Sequence, residues 1–161
     1  MSARALLDLA RAKGVMMATA ESCTGGMVSA AITDIAGSSA IFERGFVTYT
    51  NAAKMAQLGV KPATLTAHGA VSEEVAEEMA RGAVANADVG LAVSITGIAG
   101  PGGSEHKPEG RVCFGIATHD TCHVETVEFG AIGRAQGRQA ATDHALALLL
   151  AAVQKMPDPQ P

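Results

Sequence analysis

The sequence predicts an α/β protein, a three-layer α/β/α sandwich around a mixed, largely parallel sheet. Three observations carry that expectation. Short apolar runs of strand length, "VMMATA" and "VGLAVSIT", alternate with amphipathic helical stretches through most of the chain. Two further strand-like runs, "RVCFGIAT" and "HVETVEFG", stand close enough to pair across a "HDTC" turn. An Ala/Leu-rich stretch then closes the chain as its longest helix. The 161 residues form a single domain, 1–155, with 156–161 as a frayed tail. A chain of this length buries roughly two thirds of its unfolded surface, enough for one self-sufficient core.

Each element has a local reason. Leu6, Leu7, Leu9 and Ala10 give residues 3–13 one apolar helical face, and "KG" at 13–14 stops the helix. "VMMATA" follows as a buried strand. From Gly25 or Gly26 the chain reads as helix to Ile35, ended by "AGSS". Residues 42–50, "FERGFVTYT", alternate as a strand that Gly45 interrupts. "NAAKMAQLGV" is a short helix with Asn51 as N-cap and Gly59 as stop. Ser72 opens a stronger helix, with acids in its first turn and Val75, Met79 and Val84 at helical spacing. "VGLAVSIT" is the next buried strand and "GIAGPGGSEHKPEG" a loop. After the hairpin, residues 132–155 read as the final helix.

Composition narrows the function classes. Hydrophobic residues make up 48% and charged residues 17%, a globular balance whose lightly charged surface suits a homo-oligomer. A formal net charge of −4 and no Lys/Arg block argue against a nucleic-acid partner and for a small molecule. Cys23, Cys113 and Cys122 are odd in number and share no CxxC spacing, as expected of reduced thiols in the cytoplasm. The first 14 residues lack the apolar core of a leader, and no run reaches ~18 apolar residues, so neither export nor membrane insertion is expected.

Three stretches could carry chemistry. In "ATAESCTGGMVSA" a strand-to-helix turn places Ser22, Cys23 and Thr24 at a helix N-terminus, where free amides favour negative charge. Ser22 or Thr24 could equally cap that helix, and Cys23 is an alternative nucleophile. In "YTNAAK", Tyr49 is the sole tyrosine and Lys54 falls near the third position of the next helix. A lysine there opposes the helix dipole, which lowers its pKa and suits a neutral base, although an ordinary surface lysine fits the pattern too. In "TGIAGPGGSEHKPEG" a Gly/Pro-rich loop leaves a buried strand at the edge where α/β sheets bind ligands, and its amides could cradle a phosphate. It is neither a Walker A nor a GxGxxG motif. His119, Cys122 and His123 offer half a zinc site without a fourth ligand, so no metal is expected.

Four collinear blocks, "TAESCTGG", "GSSAIFERGFVTYTNAAKMAQLGV", "HGAVSEEVAEEMARGA" and "AVSITGIAGPGG", resemble the C-terminal domain of the CinA (competence/damage-inducible) family. That family includes stand-alone nicotinamide mononucleotide deamidases. The resemblance spans nearly the whole chain and implies a CinA-like α/β/α sandwich. It also implies an amidohydrolase that converts nicotinamide mononucleotide to nicotinate mononucleotide and ammonia, with no cofactor. The family's catalytic Ser, Tyr and Lys fall on Ser22, Tyr49 and Lys54. The mechanism implied has Ser22 attack the carboxamide while Lys54 takes its proton, directly or through Tyr49. Backbone amides of Cys23, Thr24, Gly25 and Gly26 would hold the oxyanion. The loop with Thr96, Gly97, Gly100, Gly102 and Gly103 would hold the phosphate, helped by Lys107 or Arg111. Two alternatives remain open: a non-catalytic nucleotide-binding or adaptor module, and an amidase of another small amide.

Overall fold

The computed structural model of the chain describes residues 2–159; Met1, in the expected domain, and Gln160 and Pro161, in the expected tail, lie outside the described residues. The chain runs α1 (Ser2–Lys13), β1 (Met17–Glu21), α2 (Met27–Thr33), a single 3-10 turn (Ser38–Ala40), β2 (Phe42–Val47) and α3 (Asn51–Leu58). It continues through α4 (Pro62–His68), α5 (Glu73–Ala87), β3 (Leu91–Gly97), β4 (Arg111–Ala117), β5 (Cys122–Glu128) and α6 (Arg134–Lys155). The five strands form one mixed sheet in the order β2-β1-β3-β4-β5. β1 pairs in parallel with β2 and β3, whereas β4 is antiparallel to β3 and β5. The mixed sheet flanked by helices is the fold the sequence predicts. No helix of the described residues is long and apolar enough to cross a membrane.

Alternation along the central strands assigns the two faces. Met17, Leu91, Val93 and Ile95 point to the layer built by α1, α2 and α6, where Leu6, Leu7, Ile32 and Leu149 complete a buried cluster. Each fully buried large aliphatic side chain stabilises the fold by about 1.5–3 kcal/mol, so this face supplies much of the apolar driving force. The opposite face carries small residues, Ala18, Ala20, Ala92 and Ala117, against α5. They let the helix come close. A Cβ on Gly115 would lie 2.6 Å from the Ala76 carbonyl oxygen of α5, and Ser94 Oγ donates to that same oxygen at 2.6 Å.

Several boundaries differ from the sequence reading, each for a local reason. Thr50, not Asn51, caps α3: its extended backbone (φ −89°) lets Oγ1 accept from the Ala53 amide at 3.1 Å. Lys54 is therefore the fourth helical residue rather than the third. α2 begins at Met27, because Gly25 and Gly26 adopt left-handed backbone (φ 58° and 105°), and it ends at Thr33. Neither Ser22 nor Thr24 caps it. β2 stops at Val47, and α6 begins at Arg134 after Gly133 (φ 97°) rather than at Ile132. α4 and the 3-10 turn are absent from the sequence reading; α4 has no fully buried residue, hence no apolar stripe to betray it.

The topology also sets where a ligand can sit. From β1 the chain moves outward to β2, and from β3 it moves outward to β4 on the other side. The carboxyl ends of β1 and β3 therefore flank the switch point at which open α/β sheets leave a crevice.

Candidate active site

A cleft of about 540 Å³ lies at that switch point. It is lined by Ser22 and Cys23 after β1, by Tyr49, Thr50, Asn51 and Lys54 at the start of α3, and by the loop after β3. Ser22 is stitched to the neighbouring strand by its amide, which donates to Ile95 O at 2.9 Å. Thr48, one residue past β2, is held to β1 by its amide on Glu21 O at 2.8 Å. Two adjacent strand ends thus bring the serine and the start of α3 face to face.

Lys54 is 1% exposed and Ser22 8%. Lys54 Nζ donates to Ser22 Oγ, Thr48 O and Tyr49 O, each at 3.1 Å. Burial pushes the ammonium below the usual lysine range, with Cys23 and Glu105 opposing the shift. The Tyr49 hydroxyl does not face Lys54. The residue is 57% exposed and its hydroxyl accepts from Arg134 Nη2 at 3.0 Å; its backbone carbonyl is what reaches Lys54. Cys23 is a buried thiol pushed up to about 11 by burial, so it is protonated at neutral pH and a poor nucleophile.

The amides after Ser22 are partly committed. The carboxylate of Glu21 fills the N-terminus of α2, accepting from the amides of Gly26, Val28 and Ser29 at 2.9–3.1 Å. The Gly25 amide donates to Ser22 O at 3.1 Å. Of the four amides from Cys23 to Gly26, that of Thr24 has no protein acceptor among the described residues, and that of Cys23 meets only its own thiol. The Thr24 side chain is turned inward, its Oγ1 donating to Glu21 Oε1 at 2.7 Å.

Thr96, Gly97, Gly100, Gly102 and Gly103 all border the cleft. Thr96 Oγ1 donates to Ala70 O at 2.8 Å, tying the segment before α5 to the sheet. Gly97 is a close-approach position, since a Cβ there would lie 2.7 Å from Val112 Cγ2 and 3.1 Å from Cys23 Sγ. The Gly102 amide is not free: it donates to Glu109 Oε1 at 2.7 Å. Lys107 and Arg111 do not line the cleft. Lys107 Nζ holds the carbonyls of His68 and Val71, and Arg111 pairs with Glu128 at 3.0 Å.

The cation that does border the cleft besides Lys54 is Arg134, which bridges Gly100 O and the Tyr49 hydroxyl. Sequence reasoning missed it, and missed Arg138 one turn later, whose guanidinium holds Cys23 O and Thr24 O. A signal existed: both arginines sit in the first two turns of α6, where a cation opposes the helix dipole. Among the described residues no three His, Cys, Asp or Glu side chains gather as a metal-binding group.

Comparison with known proteins places this geometry in a family. The model of the CinA C-terminal domain matches residues 1–153. A protein of Escherichia coli K12 named nicotinamide-nucleotide amidohydrolase PncC is 62% identical over 109 residues, 67% of this chain and 66% of that protein. A CinA-like protein of Chloroherpeton thalassium is 56% identical over 112 residues, 69% of this chain but 27% of its own length. These matches thus cover less than two thirds of either relative. Among solved structures, the competence/damage-inducible protein CihA of Agrobacterium tumefaciens is 45% identical with a TM-score of 0.90, covering 95% of this chain and 93% of its own. The competence damage-inducible protein A of Klebsiella pneumoniae is 33% identical with a TM-score of 0.93, over 96% of both chains. With a family model over almost its full length and the same fold in those structures, the chain belongs to the CinA C-terminal domain family.

Proposed function

We propose that this chain is an amidohydrolase that deamidates nicotinamide mononucleotide to nicotinate mononucleotide and ammonia. The observation that carries the reading is the buried Lys54 Nζ 3.1 Å from Ser22 Oγ, at the floor of an open cleft. The name of the E. coli relative, identical at 62% of matched positions, supports the choice of substrate.

The two carbonyls on Lys54 matter for the chemistry. A neutral amine spends its two N–H groups on Thr48 O and Tyr49 O, which leaves its lone pair facing Ser22. Ser22 Oγ attacks the carboxamide carbon while Lys54 takes the hydroxyl proton. The amides of Cys23 and Thr24 receive the oxyanion. As the tetrahedral adduct collapses, the C–N bond breaks and Lys54 returns its proton to the departing nitrogen, releasing ammonia. Water then attacks the acyl-serine with Lys54 again as base; the Ser22 Oγ–acyl bond breaks, Lys54 returns its proton to Ser22 Oγ, and nicotinate mononucleotide leaves. Tyr49 acts through its carbonyl by orienting Lys54, and its hydroxyl positions Arg134. Arg134, with the loop at Gly97–Gly103, faces the phosphate.

Ammonia release from nicotinamide mononucleotide, nicotinamide and a panel of small amides tests the reading, with Ser22→Ala alongside. The wild-type chain is expected to release ammonia from the mononucleotide, and Ser22→Ala to lose several powers of ten in rate. Ammonia from a different amide alone would reassign the substrate. No ammonia from any of them would leave a nucleotide-binding module.

A further inference from the structure

The turn that carries Ser22 is gripped from two sides by charged residues that do not line the cleft. Beneath it lies Glu21, fully buried at the end of β1. Its Oε1 accepts from Thr24 Oγ1 (2.7 Å), Gly26 N (3.1 Å) and Val28 N (3.0 Å), and its Oε2 from Ser29 N (2.9 Å) and Ser29 Oγ (2.7 Å). From the other side comes Arg138 of α6. Its Nε donates to Cys23 O at 2.9 Å and its Nη2 to Thr24 O at 3.3 Å. Gly25 makes room for it, since a Cβ there would lie 3.1 Å from Arg138 Nη2.

Peptide planarity turns this grip into a statement about donors. The C=O of one residue and the N–H of the next point in opposite directions across a trans peptide. With the Thr24 carbonyl held toward α6, the Gly25 amide points the other way, and it is found on Ser22 O at 3.1 Å. With the Cys23 carbonyl held by the same guanidinium, the Thr24 amide is likewise turned away from α6, and no protein acceptor among the described residues takes it. A cation on the carbonyl also polarises the peptide and strengthens its N–H as a donor.

We propose that Arg138 is a positioning residue that orients and polarises the Thr24 amide as an oxyanion donor, with Glu21 as the opposite jaw that keeps the turn from following the pull. The proposal rests on the reading of Ser22 as nucleophile. Arg138 then acts on the transition state through the backbone and makes no contact with bound substrate. Its removal loosens a donor without deleting it, so the loss falls below the 10²–10³-fold typical of a deleted oxyanion donor.

The test is steady-state ammonia release by Arg138→Gln. Its kcat is expected to fall about 10–100-fold with KM within about twofold of wild type. The thermal midpoint should stay within a few degrees, because Arg138 is only half-buried. Millimolar ethylguanidine should restore part of the lost kcat in Arg138→Gln and leave the wild type unchanged. Glu21→Gln, which puts an amide NH₂ or a weaker acceptor against the Ser29 donors, should lower kcat in the same pattern where it folds. A wild-type kcat in Arg138→Gln, or a loss carried by KM and untouched by ethylguanidine, overturns the proposal. An active Ser22→Ala would instead overturn the nucleophile reading on which it stands.

Discussion

Lys54 shows how a single residue can be placed against its own stability. A charged ammonium at 1% exposure with one serine and two carbonyls for company is favoured over water by nothing but those bonds, so burial shifts it toward the neutral amine. Two pH dependences follow with definite signs. In the proposed mechanism Lys54 must be unprotonated to take the Ser22 proton, so kcat/KM should rise with pH through its folded pKa and level off above it. That pKa lies below the ordinary 10.5, so between the two values the unfolded chain binds more protons than the folded one and stability rises with pH. Below the folded value the full penalty of burying the charge persists. Lys54→Met should therefore be inactive, and its thermal midpoint relative to wild type should be most favourable at neutral pH and lose ground as pH approaches 10.5. A wild-type minus Lys54→Met difference that stayed flat between neutral pH and 10.5 in calorimetry would show that Lys54 is not depressed. The sequence already pointed to this lysine through its place near a helix start. The burial that lowers its pKa comes from tertiary packing, which sets Lys54 against the residues that follow β1 and β2, on Ser22 Oγ and Thr48 O.

The packing of α3 on α5 is an element-scale property and turns on one glycine. A Cβ on Gly82 of α5 would lie 2.0 Å from Leu58 O, in the last residue of α3. Lys54 sits one turn before Leu58, so moving α3 outward moves the base away from Ser22. Gly82→Ala should cost about 1–3 kcal/mol through overpacking, and near 2–4 °C of thermal midpoint per kcal/mol in a domain of this size. Its kcat should fall by roughly tenfold or more, since displacements near 1 Å at a reacting pair are costly. Gly90→Ala is the control, because a Cβ there meets nothing within 4 Å. Equal stability and kcat in the two variants would remove Gly82 from this role. Periodicity made α1 and α5 legible because each lays buried residues along one face, as Val75, Met79 and Ala83 do in α5, whereas α6 was legible from its Ala/Leu-rich composition. It missed α4, which buries no residue fully. Cap chemistry placed the α3 cap one residue late and left Ser22 or Thr24 open as caps of α2, because a carboxylate arriving from the preceding strand, as Glu21 does, has no sequence signature of its own.

At the scale of the whole molecule the cleft is assembled from segments that the chain separates widely: the turn after β1, the start of α3, the loop after β3 and the first turn of α6. Local motifs located the first three, and Ser22, Tyr49, Lys54 and the glycine loop all border the cleft. The fourth escaped because α6 returns to the site only through tertiary packing, so the cations nearest the loop in sequence, Lys107 and Arg111, looked like the phosphate's partners. Their side chains are engaged elsewhere, on His68, Val71 and Glu128, whereas Arg134 reaches over the cleft from 85 residues beyond Tyr49. A guanidinium that bridges Gly100 O and the Tyr49 hydroxyl keeps donors to spare, and a phosphate dianion is a far better acceptor than a neutral carbonyl. Charge-assisted bonds of this kind are worth about 1.5–3 kcal/mol, so Arg134→Gln should raise KM for nicotinamide mononucleotide roughly 10–100-fold. The same variant should leave KM for the phosphate-free riboside within about twofold, because a contact to the phosphate is absent from that substrate. Arg111→Gln, altered at a guanidinium paired with Glu128 outside the cleft, should move neither value. If Arg111→Gln raised KM for the mononucleotide while Arg134→Gln did not, the phosphate would have to lie on the far side of the loop, and the cleft would be entered from the opposite end.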